Sequence, residues 1–482
     1  MKRLRTSILS MAVVVILMAS WVAPGFAQET GDQGAPPAAT GPDTTTGVIE
    51  NPPLSGLDDP SFEPGYGPRS YLLPRAQVSE AVDTNSNGTL GSNTSINEVT
   101  RALGALTLQE VWKTHPLDID YTGGVTRYHA RGEKIYQVHS FAGTQRFLWR
   151  TGQLALRDSA SYSPQASFGF GSFGGAGAVS GGGGLGGLVG GGGVTGGGGG
   201  NVFNNGQLGS LGNQPRVTNL SIIDITQSFS PRSSFLLAGG YGLTTFINAP
   251  AGYLNSQQIT GQVGYTYQLS RKDQLALMYA FQEFHFPSAG SGSFNANIWQ
   301  VLYGHRISGR LDIKFGGGPQ WIRTNSILQG NRSVISGSGH ASLTYVTSAR
   351  TNLHVTYSHY TNPGSGFFAG SNSDSIRLGL SHALTRRWNG TINTGYSRNS
   401  RILTQLSSLL NNAGTFQYWY AGAALRRQLS RQFGVFASYQ FDKIGFDSGF
   451  CSGSPSPNCS RDSMRHVGVI GLDWRPHPIR LD

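Results

Sequence analysis

From Ser230 to Gln432 one short motif returns six times: a serine or threonine with an arginine one or two residues later, set between runs of alternating apolar and polar residues. The copies are Ser230-Pro231-Arg232, Ser270-Arg271-Lys272, Ser308-Gly309-Arg310, Ser348-Ala349-Arg350, Thr385-Arg386-Arg387 and Ser430-Arg431-Gln432. Their spacing, roughly forty residues, is the length of one hairpin of ten-residue strands with its loops. The chain therefore reads as a series of β-hairpins. Arg232, Arg271, Arg310, Arg350, Arg387 and Arg431 mark its tight turns, which the reading places in the periplasm facing lipid headgroups.

The runs between the turns share one binary code. Val263, Tyr265, Tyr267 and Leu269 fall on one side of the pleat and Gln262, Gly264, Thr266 and Gln268 on the other. Leu275, Leu277, Tyr279 and Phe281 repeat it, as do Leu353, Val355 and Tyr357, and Ile376, Leu378 and Leu380. A soluble sandwich also alternates, so placement in a membrane needs further grounds. The runs are about ten residues or longer, where soluble strands average five or six. Aromatic residues gather at the apolar strand ends as interfacial girdles would: Phe284 and Phe286, Trp299 and Tyr303, Trp321, Tyr357 and Tyr360, Trp388, and Tyr418 to Tyr420. Short basic turns also alternate with long loops rich in glycine, serine and asparagine, the outer-membrane pattern. Hydrophobic residues are only 38% of the chain and mean hydropathy is -0.22, values ordinary for a barrel whose strands are half apolar.

The expected architecture is all-β: a transmembrane antiparallel up-and-down barrel over residues 71–474, of about sixteen to eighteen strands with eighteen the direct count. An even number leaves both ends on the periplasmic side and no exposed edge. A barrel this wide cannot be filled by its own wall, so it holds either a water-filled channel or a plug. A glycine-dominated loop, residues 164–217, interrupts the strands on the long-loop side, as a lumen constriction or a surface tether. Residues 475–482 form a short tail.

The N-terminus reads as an export signal. Lys2, Arg3 and Arg5 precede the apolar stretch Ile8 to Ala19, and Gly25-Phe26-Ala27 offers a cleavage point, giving a signal peptide over 1–27. Residues 28–70, rich in proline, glycine and threonine, form a disordered periplasmic lead. Cys451 and Cys459, the two cysteines, share one loop of an exported chain and so are expected to form a disulfide. Formal charge is +11, and loss of three basic residues with the signal leaves +8. The arginines are spread over turns and loops without a basic helix or aromatic platform, so nucleic acid is excluded as a partner.

The candidate pore-lining residues are Asp312, Lys314, His354 and Arg377, on polar-face positions of neighbouring runs. Their alternative role is salt-bridged filler that stiffens the wall. Asp83, Asn85, Asn87 and Gly88 resemble the opening of a calcium loop, but Thr94 stands where the closing acid belongs, and an Asx-rich turn is the reading preferred. The glycine tract lacks the Gly-Lys-Ser/Thr ending of a phosphate cradle. His354 and His359 near Asp374 are the one catalytic arrangement to weigh, yet no Gly-x-Ser-x-Gly elbow accompanies them. No metal, cofactor or enzyme activity is expected.

Gln77-Val78-Ser79-Glu80-Ala81-Val82-Asp83-Thr84-Asn85, after a signal and a proline-rich lead, resembles the opening strand of outer-membrane barrel families associated with bacterial exopolysaccharide export and PEP-CTERM systems. The hairpin repeat through Trp474 extends the likeness. Outer-membrane barrels commonly end on an aromatic residue read by the barrel-assembly machinery; Trp474 suits that role, followed here by Arg475 to Asp482. The resemblance implies a location in the bacterial outer membrane, contact with its lipid, and a porin-like conduit for hydrophilic solutes or exported polysaccharide. A surface or adhesive protein anchored by its barrel is the alternative, and an outer-membrane hydrolase a third.

Overall fold

The computed structural model describes residues 70–481 apart from stretches at 86–89, 92–95, 113, 130–133, 164–166, 170–207, 211–214, 249–252, 288–291, 327–329, 349, 363–367, 404–412 and 452–458. The expected signal peptide and lead, most of the glycine tract, and Asn87, Gly88 and Thr94 lie outside these residues.

Eighteen long antiparallel strands follow one another, each paired to the next. They are β1 (Tyr71–Asp83), β2 (Asn97–Glu110), β3 (Leu117–Tyr128), β4 (Lys134–Trp149), β5 (Gly152–Ser163) and β6 (Arg216–Ser230). Then come β7 (Ser233–Phe246), β8 (Ser256–Gln268), β9 (Asp273–His285), β10 (Ser293–Ser308), β11 (Leu311–Ser326) and β12 (Gly330–Ser348). The last are β13 (Thr351–Asn362), β14 (Ala369–Ala383), β15 (Trp388–Leu403), β16 (Thr415–Gln428), β17 (Phe433–Phe446) and β18 (Asp462–Trp474). β1 pairs with β2 on one side and β18 on the other, from Ala76↔Trp474 to Asp83↔Val467, and so closes the cylinder. In the tail, Ile479–Arg480 adds two more residues of pairing at the foot of β1. The expected all-β transmembrane barrel is the observed fold, with the larger of the two strand counts.

The six-fold turn motif has a local cause. In each copy the hydroxyl oxygen accepts the backbone N–H two residues on: Arg232 N to Ser230 Oγ, Arg310 N to Ser308 Oγ, Arg350 N to Ser348 Oγ and Arg387 N to Thr385 Oγ1, all 3.2 Å. Lys272 N to Ser270 Oγ at 3.0 Å and Gln432 N to Ser430 Oγ at 3.2 Å complete the set. The side chain thus satisfies a donor that a tight turn would leave open. All six arginines are exposed, on the rim that also carries both ends of the barrel.

Side-chain direction obeys the period of two, with the apolar face outward. Along β8, Gln258, Thr260, Gln262 and Thr266 are buried inside while Ile259, Tyr265 and Tyr267 are exposed outside, the reverse of a soluble barrel. Exposed aromatics form two outer rings. Trp112, Trp149, Phe229, Phe433 and Trp474 lie near the short turns, and Tyr241, Trp299, Trp321, Tyr357, Trp419 and Tyr439 lie toward the long loops. Cross-strand pairs knit the second ring, Tyr279 to Trp299 at 4.5 Å and Tyr396 to Trp419 at 4.9 Å between ring centroids. An apolar band between two aromatic girdles on a closed antiparallel cylinder is the exterior of an outer-membrane barrel. No described helix is long and apolar enough to cross a membrane; the strands do the crossing.

Beyond the second ring the code inverts. On β6, Ile223 and Ile225 face out below, but Asn219 and Ser221 face out above, over inward Leu220 and Ile222. On β9, outward Leu275 to Phe281 give way to outward Glu283 and His285 over inward Phe284. On β10, outward Val301 and Trp299 give way to Asn297 and Asn295 over Ile298, Ala296 and Phe294. Polar residues turn outward where strands emerge into water, and the inner face there becomes an ordinary apolar core. Phe284, Phe286, Tyr360, Tyr418 and Tyr420, read from sequence as girdle residues, are all buried inside. The correction has a simple origin: each sits one residue out of phase with the outward face of its strand.

Candidate functional site: the lumen and its cap

The inner wall has two zones. Toward the long loops, the inverted code builds an apolar cluster that includes Leu220, Ile222, Phe284, Phe294, Ile298 and Leu403, from strands β6 to β15. Strands that are not neighbours meet here. Gly370 on β14, with φ +78, lies so close to Phe294 on β10 that a Cβ built on it would sit 2.2 Å from the ring. A left-handed backbone in a ring's path leaves room only for glycine. A second cluster, Phe368, Phe416, Tyr418, Tyr420, Ile444 and Phe446, continues the closure on β16 and β17. Phe294, at 1% exposure, is fully covered where β10 and β14 meet, so apolar side chains narrow the lumen at this end. Sequence reasoning missed the cap, although the out-of-phase phenylalanines beside Glu283, His285 and Asn295 signalled it.

Toward the short turns the inner wall is mostly polar, broken by a buried apolar patch of Ala276, Met278 and Leu302. Asp312, Lys314, His354 and Arg377 all lie on the inward face, in two adjacent rows of the hydrogen-bond register. One row runs Lys314, Ser342, Thr356, Arg377; the other runs Arg306, Asp312, Thr344, His354. Arg306 Nε donates to Asp312 Oδ1 at 2.9 Å, and Thr344 Oγ1 lies 3.4 Å from His354 Nδ1. The wall mixes charges elsewhere too: Arg157 and Asp224 approach to 2.5 Å, and Arg426 pairs with Asp473.

The best-connected charges sit at the seam where the barrel closes. Arg465 on β18 grips Asp83 on β1 with Nε at 3.0 Å from Oδ1 and Nη2 at 2.6 Å from Oδ2. Both are buried, at 3% and 2% exposure. Asn85 N donates back to Asp83 Oδ1 at 3.0 Å, an Asx turn, and Asn85 Nδ2 reaches Ser463 Oγ and Met464 O, both at 3.0 Å. The calcium-like opening therefore spends its one described carboxylate on arginine. Beside it, Asp442 accepts from Tyr418 at 2.7 Å and Gln440 at 2.8 Å. A cavity lined by Ser79, Asp83, Arg101, Tyr128 and Arg465 has room for about one water.

The histidines part company. His354 faces in, whereas His359 faces out, with Nδ1 2.6 Å from Asp374 Oδ1 and Tyr357 donating to the same carboxylate at 3.1 Å. Opposite faces of one strand cannot serve one catalytic centre. Among the described residues no cluster of three or more histidine, cysteine or acidic side chains could hold a metal. Cys451 and Cys459 form the disulfide, with Cα atoms 5.8 Å apart.

The glycine-rich connection is described only at its roots. Its ends pair as a small hairpin, Ser167–Gly169 with Leu208–Ser210, and the first of these segments lies against β17. β5, from which it departs, stands six strands from β17 around the closed wall. The hairpin therefore reaches a strand that is not a neighbour of β5 or β6.

No protein-family model matches the chain, and no curated protein matches it by sequence. Among solved structures it is similar to the outer-membrane protein OpdK of Pseudomonas aeruginosa, 10% identical, covering 84% of this chain and 98% of that one at a TM-score of 0.42. OccK7 (OpdD) of the same species is 11% identical, with 85% and 99% covered, at 0.41. The open form of the ferric-catecholate import receptor Fiu of Escherichia coli K12 is 8% identical, with 83% and 81% covered, at 0.40. At such values no property of those proteins transfers to this one; the barrel stands on its own strands.

Proposed function

We propose that this chain is a non-enzymatic outer-membrane channel that passes hydrophilic solutes, with its apolar cap as the gate. The observation that carries the reading is the polar, mixed-charge wall below the cap, on a cylinder too wide to need it for packing. Asp312, Lys314, His354 and Arg377 are then the residues that tune which charges pass. A ring of buried phenylalanine above a wet lumen is a hydrophobic constriction, which gates by excluding water. Protein reconstituted in planar bilayers should show stepwise conductance, more frequent when Phe294 is replaced by alanine. Membranes that stay sealed with both proteins overturn the channel. Charge reversal at Lys314 and Arg377 should shift the reversal potential in a salt gradient toward cation preference.

The solute class we favour is an exported polysaccharide, supported by the resemblance of the Gln77 to Asn85 strand to barrels of export systems. Liposome-swelling rates with neutral oligosaccharides of graded length test it. Assembly through recognition of Trp474, cleavage after Ala27 and headgroup contact by the six turn arginines belong to the same reading. N-terminal sequencing of the mature protein checks the cleavage.

The cap and the disulfide-closed loop at the same rim favour one second reading, a surface adhesin anchored by its barrel. Deleting residues 170–212 separates the two. A channel changes conductance or stays open, whereas an adhesin loses surface binding with permeability unchanged.

A further inference from the structure

β12 is the longest strand, with 19 residues, and its neighbours cover it unequally. β11 pairs with it as far as Ser326↔Gly330, but pairing with β13 stops at Gly339↔His359. Residues Gly330–Ser338 thus form a β-edge that pairs with no other described strand on its second side. Every second residue of such an edge aims an N–H and a C=O away from its own sheet partner, where no described strand meets them. Lys134–Val138 on β4 outruns β5 in the same way, but over five residues against nine.

Its position and surface show what could fill it. Ile335 pairs in register with the girdle residue Trp321, and Gly330 to Val334 lie beyond it on the long-loop side. Residues Gly330 to Ile335 are all exposed, and Ile335, at 75%, is the most exposed large apolar side chain among the described residues. Residues 319–338 carry Arg323 and Arg332 and no acidic residue. Arg323 lies over the Trp321 ring at 4.0 Å.

A second copy fits badly. Copies standing in one membrane are related by an axis along its normal, so their hairpins rise the same way and an antiparallel union is excluded. A parallel in-register union sets Arg332 beside Arg332, like charges directly opposed. We propose that Gly330–Ser338 docks an extended, acidic segment of another polypeptide at the cell surface, taken up as an added antiparallel strand.

The test uses the full chain in detergent micelles and two synthetic nine-residue probes, one alternating valine with glutamate and one alternating valine with lysine. Hydrogen–deuterium exchange should show alternate amides of 330–338 protected by the glutamate peptide. Its affinity should exceed that of the lysine peptide by about fivefold. Arg332→Glu, an exposed change that leaves the fold intact, should reverse the preference. Equal affinities, no protection by either peptide, or protection that grows with protein concentration alone each overturn the proposal, the last by assigning the edge to a second copy.

Discussion

Removing either partner of the seam pair should destabilise the barrel, and by unequal amounts. In Asp83→Ala the Arg465 guanidinium stays buried but keeps Asp442, its cross-strand neighbour in the register, as a counter-charge. In Arg465→Ala two carboxylates, Asp83 and Asp442, remain in the same buried site without their shared cation. Breaking a buried pair costs about 3–5 kcal/mol. We expect Asp83→Ala at the lower end, near 3 kcal/mol, which is roughly a hundredfold in the unfolded-to-folded ratio. Arg465→Ala is expected at or beyond the upper end, roughly a further tenfold or more. The bond joins the first strand to the last, beside the backbone ladder of β1 and β18 that closes the cylinder. Urea unfolding in detergent, followed by tryptophan fluorescence and by the heat-dependent shift of the folded band on a gel, reads both variants. Asp374→Ala, whose partner His359 is partly exposed on the outer face, is the control and should cost under about 1 kcal/mol. If Arg465→Ala proves no worse than Asp83→Ala, or if both match the control, the seam is not a closure latch.

Phe294→Ala should lower stability by about 3–5 kcal/mol, as removal of a buried ring does, and Gly370→Ala by at least about 1–3 kcal/mol through ring overlap and a strained left-handed residue. Combined, the double variant should lose less than the sum, because the missing ring frees the space that the new methyl needs; denaturant midpoints of the cycle check the coupling. Reduction of Cys451–Cys459 closes no long-range contact, since the separation is 8 residues. It should remove about 2–3 kcal/mol of local loop restraint and raise protease cleavage between 451 and 459 while the folded band persists. Replacing Ser308 by alanine should cost about 1 kcal/mol by leaving the Arg310 N–H without its hydroxyl acceptor, measured as a shift in the unfolding midpoint.

Much was legible before any coordinates. The hydroxyl-and-arginine turns announced the hairpins because a tight turn needs a local acceptor, and a chain supplies one only by putting serine or threonine at that position. Outward Tyr265 and inward Gln262 followed from parity alone. The same parity puts Phe284 and Phe286 on the inner face, although their aromatic type suits a girdle. His354 and His359 could have been separated the same way, since five residues along a strand is an odd step.

What sequence determined here is everything governed by the local chain: where it turns, which faces are greasy, and that an even set of such strands closes without an edge. The tertiary structure decided what depends on distant residues meeting. Asp83 finds Arg465 across 382 residues, Phe294 fills the space over Gly370, and β12 outruns β13 to leave an edge. Those outcomes depend on the stagger of the closed sheet, a property of all eighteen strands together, and no window of sequence contains it.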